Sequence, residues 1–179
     1  MDATISGSSA QVESGTATWL VGADETDFNS VGDIFQALGG PVFHLGPTGS
    51  GTRMKLVSNL ILGLNRAVLA EGLALAEAWQ MNLNQTLEVL KSTAAYSRVM
   101  DTKGRKMIDQ DYIPQARLRQ HHKDVRLILE STRDSGPDLV LSKLHDKLLQ
   151  SAENAGLGEL DNAAIFELWR RKRNPTDAS

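Results

Sequence analysis

The sequence predicts a mainly helical protein in which the helices follow a small α/β piece, and two observations lead to this prediction. Before Gly46, short apolar runs end at glycines, as in "TATWLVGAD" and "PVFHLG", which is typical of short strands. After Gly46, apolar residues recur at helical spacing, and no proline interrupts the chain from Gly51 to Gln80. We therefore expect an α/β domain over residues 1–46, an all-helical domain over residues 47–174, and a polar tail over residues 175–179 that frays.

The first domain is expected to contain two or three strands and one helix. The segment "ATIS" is a candidate for the third strand. Asp24 can cap the helix, with Asp27 in the capping-box position, and Gly39-Gly40 ends it. The apolar residues of this helix recur at helical spacing and are Phe28, Val31, Ile34, Phe35 and Leu38. Two or three strands are too few for a stable sheet, so the piece either pairs with something or belongs to a longer protein.

The second domain begins with one long helix, which at 1.5 Å per residue would extend about 45 Å. Apolar residues cover much of its circumference, so we expect it to be buried on several sides. A membrane span is not expected, because polar residues interrupt the apolar run at Asn59, Asn65, Arg66 and Glu71. The later helices are predicted from Asn84 as a cap, from Ser97 through Met107, from Arg117 to Arg133, from Asp138 to near Gly156, and from Asp161 as a cap through Trp169.

Composition limits the classes of function. The 179 residues are 41% hydrophobic and 23% charged, which is ordinary for a soluble globular protein. The formal net charge of −3 gives no reason to expect a nucleic-acid partner, and the Arg170–Arg173 run is interpreted as a solvated helix end. The absence of cysteine excludes disulfides, thiolate metal sites and thiol catalysis, and it suits the cytoplasm. The start "MDATISGSS" has no basic region and no apolar run, so we expect no signal peptide.

The stretch "GPTGSGTRMKLVSN" looks like a phosphate loop but fits neither known pattern. A Walker loop would need lysine where Thr52 stands, and a dinucleotide turn would need glycine where Met54 stands. Glycines before a helix let backbone N–H groups approach an anion. Lys55 and Asn59 share one helix face, where an ammonium and a carboxamide can both bind a carbonyl or hydroxyl oxygen. The alternative is that the glycines only form a tight turn and that Lys55 is a solvated surface lysine.

Four segments resemble the β-hydroxyacid dehydrogenase family of NAD(P)-dependent enzymes. "DATISGS" is similar to the substrate-binding Asp-Ala-Pro-Val-Ser-Gly segment, with Thr4 in place of proline. "GPTGSGTRMKLVSN" has every fixed position of the catalytic motif Gly-x-x-Gly-x-Gly-x-x-x-Lys-x-x-x-Asn. "KDVRLILE" and "GLGELDNAA" are similar to the family's Lys-Asp and Gly-x-Gly-x-x-Asp segments. The resemblance extends from Asp2 to about Trp169 and implies a helical dehydrogenase domain on a long interdomain helix, after the remnant of a Rossmann sheet.

The resemblance also implies roles for individual residues. Lys55 would be the general acid that protonates the substrate carbonyl, and the base in the reverse direction, while Asn59 would orient that oxygen. Ser6 and Gly7 would bind the substrate carboxylate, and by its residue types alone the polar turn Ser6-Gly7-Ser8 can hold a carboxylate with N–H groups and hydroxyls. The cofactor, NAD or NADP, would meet Lys123 at its nicotinamide end, with Asp124 positioning Lys123, and it would pass the turn at Gly49 and Gly51. Without the resemblance, Lys123 and Asp124 would be interpreted as a solvated ion pair on a helix.

One departure from the family is important. The family begins with a Rossmann domain that carries Gly-x-Gly-x-x-Gly, and these 179 residues contain no such turn. We therefore expect the C-terminal portion of an oxidoreductase acting on a small 3-hydroxy acid, a chain that is inactive alone and that dimerises through its helices. The competing hypothesis is a non-catalytic helical module kept for oligomerisation. No metal site is expected, because the adjacent His121 and His122 point about 100° apart on a helix, and His44 and His145 are interpreted as structural.

Overall fold

The computed structural model describes residues 1–134 and 136–171, with the Arg171 side chain excepted. The described chain is mainly helical with one three-stranded sheet near its start, as the sequence predicts. It divides into two compact units, residues 1–59 and the residues from Leu60 onward, and one long helix contributes to both. The expected fraying of residues 175–179, and the arginine run beyond Arg171, lie outside the described residues.

The first unit is built around a sheet in the order β1-β2-β3. Strand β2 (Thr18–Gly22) pairs antiparallel with β1 (Asp2–Ser6) and parallel with β3 (Val42–His44), so all three candidate strands are confirmed. The small core of this unit consists of buried Val21, Ala23 and Phe35, with half-buried Trp19, Phe28, Val31 and Val42 packed against them.

Two features of the first unit differ from the prediction. The expected single helix is two, α2 (Glu25–Ser30) and α3 (Gly32–Leu38), because Val31 leaves helical geometry at φ −114° and ψ 12°. The apolar spacing did not reveal this break, because Phe28 before it and Phe35 after it pack against the same core. A five-residue helix, α1 (Ser9–Glu13), was not predicted; Ser8 and Gln11 form its capping box. Asp24 does cap α2, accepting the Asp27 N–H at 2.9 Å.

The long helix α4 (Ser50–Ala78) is confirmed within two residues of its predicted ends. Its predicted burial on several sides is wrong for the chain by itself. Although Leu69, Ala70 and Leu73 are buried, Val68 is 67% exposed. The exposed apolar residues of α4 are Met54, Val57, Ile61, Leu62, Val68 and Leu75. Helical periodicity shows that a helix is apolar, but it does not show which partner covers each face.

The second unit packs the remaining helices around one apolar core. These are α5 (Leu83–Lys91), a π-helical turn (Met100–Gly104) continuing into α6 (Arg105–Ile108), α7 (Leu118–Ser131), α8 (Val140–Asn154), a 3₁₀ segment (Asn162–Phe166) and α9 (Glu167–Arg171). The largest fully buried side chains in this core are Phe166, Leu73, Leu87, Met107, Leu118, Leu149 and Ile165.

Two predicted helix starts need correction. Asn82 caps α5 by accepting the Gln85 N–H at 3.0 Å, whereas the predicted cap, Asn84, accepts a hydrogen bond from Arg105. By sequence, Asn82 and Asn84 are equally suitable as caps. In the fold Asn84 binds Arg105, and Asn82 serves as the cap. Helix α8 begins at Val140 rather than Asp138. Asp161 does cap the segment that follows it, accepting the Ala163 N–H at 3.0 Å.

A buried ion pair joins the middle of the second unit to its end. Lys103 donates to both carboxylate oxygens of Asp161, at 2.8 and 2.9 Å, and Asp161 is fully buried. The Gln115 N–H also donates to this carboxylate, at 2.8 Å. Burial alone would raise the pKa of Asp161, but the hydrogen bonds from Lys103, Ala163 and Gln115 outweigh it and leave the pKa lowered. The carboxylate therefore stays charged in the interior.

Candidate substrate and cofactor site

A carboxylate of the chain itself occupies the N-terminus of α4. The Gly49 N–H donates to Asp2 Oδ1 at 2.6 Å, and the N–H and hydroxyl of Thr52 donate to Oδ2 at 2.6 and 2.8 Å. The hydrogen bond from Gly49 is the largest cause of the lowered pKa of Asp2. The glycine-rich sequence predicts that these amides can bind an external anion. In the structure they already donate to Asp2. Sequence reasoning missed this contact because it joins residues 47 or more positions apart.

Replacing Asp2 with alanine should destabilise the chain by about 1–2 kcal/mol, the usual cost of losing an N-terminal cap. Because the pKa of Asp2 is lowered, this stabilisation is present at neutral pH and is lost as the pH falls through the lowered value. Urea unfolding at pH 7 measures the difference. Asp33→Ala is the control, because Asp33 is exposed in the first turn of α3. Equal stabilities for Asp2→Ala and the unchanged chain would contradict the assignment.

The glycines of this stretch have structural reasons of their own. A Cβ on Gly51 would overlap the Leu20 carbonyl oxygen and lie 3.0 Å from the Gly22 nitrogen, so glycine lets α4 begin directly against β2. A Cβ on Gly22 would lie 2.8 Å from both the Pro47 oxygen and the Ser50 nitrogen. Gly49 has φ +97°, which favours glycine. These facts account for the turn, and the expected contact of Gly49 and Gly51 with a cofactor stays a prediction.

Lys55 and Asn59 follow on α4, one and two turns beyond Gly51, on the same face of the helix. Both side chains are half-buried. A lysine and an asparagine one turn apart present an ammonium donor and a carboxamide to the same oxygen atom. Their spacing is fixed by a regular helix, and this part of the candidate site depends least on the rest of the fold.

Ser6 ends strand β1, two residues after Thr4. The side chains of Asp2 and Thr4 both bond to the start of α4, Thr4 through its hydroxyl to the Gly51 carbonyl at 3.1 Å. Side chains alternate along a strand, so Ser6 lies on the face of β1 that carries Asp2 and Thr4. Ser6 is half-buried there, whereas Gly7 and Ser8 are exposed. The Ser8 side chain caps α1, and the binding role of the Ser6-Gly7-Ser8 turn stays a prediction.

Lys123 and Asp124 lie on α7 in the second unit, Lys123 exposed and Asp124 half-buried. Their roles toward the cofactor stay predictions. The preceding residue, His122, is buried, with Nδ1 2.9 Å from Glu153 and Nε2 3.0 Å from Asp146, so its ring joins α7 to α8. His44 Nε2 lies 2.7 Å from the Ala23 carbonyl oxygen, and its ring stacks on Phe28. Within residues 1–134 and 136–171, no group of histidine, aspartate and glutamate residues is arranged to hold a metal.

The surface also has a depression of about 660 Å³ in the second unit, between the end of α7 and the start of α8. Arg126, Arg133, Asp138 and Lys143 contribute to its walls. None of the predicted site residues lines it. Its position gives no support to any of the predicted roles.

Two family models match the chain. Residues 49–169 match the NAD-binding domain of NADP-dependent 3-hydroxyisobutyrate dehydrogenase, and residues 1–46 match the NAD-binding domain of 6-phosphogluconate dehydrogenase. The first match begins at the glycine turn and contains Lys55, Asn59, Lys123 and Asp124.

Individual relatives agree with these models. The chain is 30% identical over 172 residues to 2-(hydroxymethyl)glutarate dehydrogenase of Eubacterium barkeri, covering 96% of this chain and 57% of that protein. It is 31% identical over 166 residues to the cytokine-like nuclear factor N-PAC of Aedes aegypti, covering 93% of this chain and 30% of that protein. The structure of 3-hydroxyisobutyrate dehydrogenase from Salmonella typhimurium superposes with a TM-score of 0.86 at 26% identity, covering 93% of this chain and 59% of that one. The chain thus spans little more than half the length of these two dehydrogenases.

Proposed function

The chain belongs to the β-hydroxyacid dehydrogenase family, and from this we propose that it supplies the substrate-binding and proton-transfer part of an NAD(P)-dependent oxidoreductase. The substrate would be a small 3-hydroxy acid or its carbonyl counterpart. The observation that carries the proposal is the Lys55–Asn59 pair on one face of α4, directly after the glycine turn, within the segment that matches the family.

In the proposed reaction, the nicotinamide ring accepts or supplies the hydride. The Lys55 ammonium donates a hydrogen bond to the substrate carbonyl oxygen, which favours negative charge on that oxygen during reduction. Lys55 then gives its proton to the oxygen and becomes a neutral amine, and in the oxidative direction the amine takes the hydroxyl proton back. The Asn59 carboxamide holds the oxygen in line with Lys55, and Ser6 with Gly7 holds the substrate carboxylate at a fixed distance from it.

The described residues suit one end of the cofactor better than the other. Lys55 and Asn59 present polar groups of the kind that a nicotinamide carboxamide and a carbonyl oxygen can bind. The N-terminal amides of α4, which elsewhere bind pyrophosphate, are bonded to Asp2 instead. The residues that would hold the nicotinamide end are therefore Lys55, Asn59 and, as predicted from the family, Lys123.

It follows that a polypeptide of these 179 residues should bind NAD or NADP weakly and should not turn over by itself. Most contacts of a Rossmann domain with its cofactor come from the Gly-x-Gly-x-x-Gly turn and an acidic residue about 20 positions later. Titration calorimetry should show no saturation at micromolar cofactor, whereas a protein that joins the chain to a Rossmann domain with that turn should bind. Micromolar affinity of the chain alone would contradict the prediction.

We also propose a homodimer formed through α4. Ile61, Val68 and Leu75 are exposed and spaced seven residues apart, so they form a stripe along one side of the helix. Burying several such side chains at roughly 1.5–3 kcal/mol each would offset the cost of association. A symmetric dimer lets each α4 cover the stripe of its mate.

Val68→Lys should therefore shift the chain from dimer toward monomer, because it places a charge in the middle of the stripe. Light scattering at tens of micromolar protein measures the mass. Ile113→Lys is the matched control, since Ile113 is as exposed as Val68 but lies in a loop outside α4. If the unsubstituted chain is a monodisperse monomer at this concentration, the proposed dimer is ruled out.

The alternative function is a non-catalytic helical module, and one observation favours it. A relative that covers 93% of this chain is a nuclear factor by name rather than a dehydrogenase. Both hypotheses predict the same helical fold, so they differ only in whether Lys55 is used. Lysine-dependent turnover in a protein that also carries a Rossmann domain would support the enzyme, and its absence would favour the module.

The remaining proposals concern the membrane, the cellular location and nucleic-acid binding. By length and composition α4 could cross a membrane, a property that buried helices of soluble proteins share. We propose that it does not, because Asn65, Arg66 and Glu71 interrupt it. The proposed location is the cytoplasm, in keeping with a chain without cysteine, and no nucleic-acid partner is proposed for a chain of net charge −3.

A further inference from the structure

Four buried nitrogen atoms of a polar cluster in the second unit have no hydrogen-bond partner among the described residues. Arg66 on α4 is 4% exposed, His121 on α7 is 7% exposed, and His145 on α8 is 3% exposed. Arg66 Nε and Nη1, His121 Nε2 and His145 Nε2 are all buried without a hydrogen bond to any described residue. Buried polar atoms in proteins nearly always have partners, so four orphaned nitrogen atoms in one place require an explanation.

The geometry brings these groups together from three helices. The rings of His121 and His145 lie 5.2 Å apart, centroid to centroid, at 47°. Both rings approach α4 at Gly63, where an added Cβ would lie 2.6 Å from His121 Cε1 and 2.9 Å from His145 Cε1. Glycine at this position therefore admits the two rings beside the helix that carries Arg66, one turn further along.

The cluster carries one positive charge, and the Arg66 guanidinium that bears it has no described hydrogen-bond acceptor at Nε or Nη1. The charge of Asp161 opposes the lowering of the Arg66 pKa, but the Asp161 carboxylate is hydrogen-bonded to Lys103. Burial lowers the pKa of Arg66 to about 10, so it remains charged at neutral pH. Burial, followed by the Arg66 charge, lowers the pKa of His121 to about 2 and that of His145 to about 4, so both rings are neutral. The Arg66 guanidinium thus shares the charge of Asp161 with Lys103.

Water could satisfy the orphaned N–H groups, whereas an anion would also balance a guanidinium that shares the charge of Asp161 with Lys103, and an incompletely paired ion in the interior is unfavourable. We propose that Arg66, His121 and His145 form a buried site for one small monovalent anion, either a halide ion or the carboxylate of a small acid. Arg66 donates through Nε and Nη1, and each neutral imidazole donates through Nε2 when its proton is on that nitrogen. The proposal uses only residues of the second unit and does not depend on the proposed function.

The test is anion-dependent thermal unfolding of the whole chain at constant ionic strength and pH 7.5. Sodium gluconate, whose anion is too large for a closed site, is replaced stepwise by sodium bromide or sodium acetate. The melting temperature should rise by about 4 °C or more when a fitting anion saturates the site. Arg66→Met should abolish the rise, and Arg117→Met, which removes an exposed arginine, should keep it. A rise in bromide identifies a halide site, and a rise only in acetate identifies a carboxylate site.

The second measurement is a crystal structure of the unchanged chain, which can be obtained even if Arg66→Met fails to fold. The crystals are grown in bromide, or in acetate if only acetate raises the melting temperature. The expected result is an anomalous bromide peak, or acetate density, in contact with Arg66 and at least one of the two histidines. Equal melting temperatures in all three salts, or only water beside Arg66, would overturn the proposal.

Discussion

Lys55→Ala should lower kcat by about 10²–10⁴-fold, the usual contribution of a general acid, in a longer protein or fusion that binds the cofactor. The loss should fall mainly on kcat, because the proposed proton transfer takes place in the transition state, whereas in the proposed site Asn59 and Ser6 would still bind the ground-state substrate. Lys55→Arg separates charge from proton transfer. Arginine keeps the positive charge beside the carbonyl oxygen but does not release its proton at neutral pH, so KM should be largely retained while kcat falls.

Arg53→Ala is the matched control for this series. Arg53 is exposed on the same helix, two residues before Lys55, and therefore points to a different side of α4. Stopped-flow measurement of nicotinamide absorbance gives the rate of hydride transfer directly. If Lys55→Ala leaves this rate unchanged, the proton comes from another group and the role of Lys55 is wrong.

Asp161→Asn should destabilise the chain by about 3–5 kcal/mol, because it leaves Lys103 as a buried charge without a counter-ion. The pKa of Asp161 is lowered in the folded chain. The contribution of its ionised form is thus complete above the unfolded pKa of about 3.9 and is lost as the pH falls below that value. Adding Lys103→Met to Asp161→Asn should recover part of the loss, since it removes the unpaired charge.

Urea unfolding at pH 7 measures these differences, with Asp111→Asn as the control. Asp111 pairs with Lys106 at 3.0 Å at the surface, where solvent screens the pair, so its loss should cost much less than the loss of Asp161. Equal effects of Asp161→Asn and Asp111→Asn would show that burial does not strengthen the Lys103–Asp161 pair.

Local patterns in the sequence predicted most of the elements. The three strands, the stop at Gly39 and the caps at Asp24 and Asp161 depend on neighbouring residues, and the structure agrees with each. The incorrect predictions occur where a residue distant in the sequence determines the local structure. Arg105 binds Asn84 and leaves the cap of α5 to Asn82, and the core of the first unit keeps one apolar spacing across the break at Val31.

The candidate site divides in the same way. Lys55 and Asn59 could be predicted because a single helix fixes their spacing. The capping of α4 by Asp2, the Lys103–Asp161 pair and the orphaned Arg66 could not, since each joins segments that only the folded chain brings together. The glycine-rich stretch shows the difference clearly. Its sequence suggests a loop open to an anion. In the fold the Asp2 carboxylate accepts the hydrogen bonds that an anion would take, and Gly51 is needed because β2 packs directly against it.

A crystal structure of the chain with a small 3-hydroxy acid, obtained as part of a cofactor-binding protein if the chain alone binds too weakly, tests the proposed site most directly. The predicted result places Lys55 Nζ about 3 Å from the hydroxyl oxygen, with Asn59 on the same oxygen and the Ser6-Gly7 turn on the carboxylate. A Lys55 ammonium on the far side of α4 from Ser6, or an acid bound away from both residues, would contradict the proposed function.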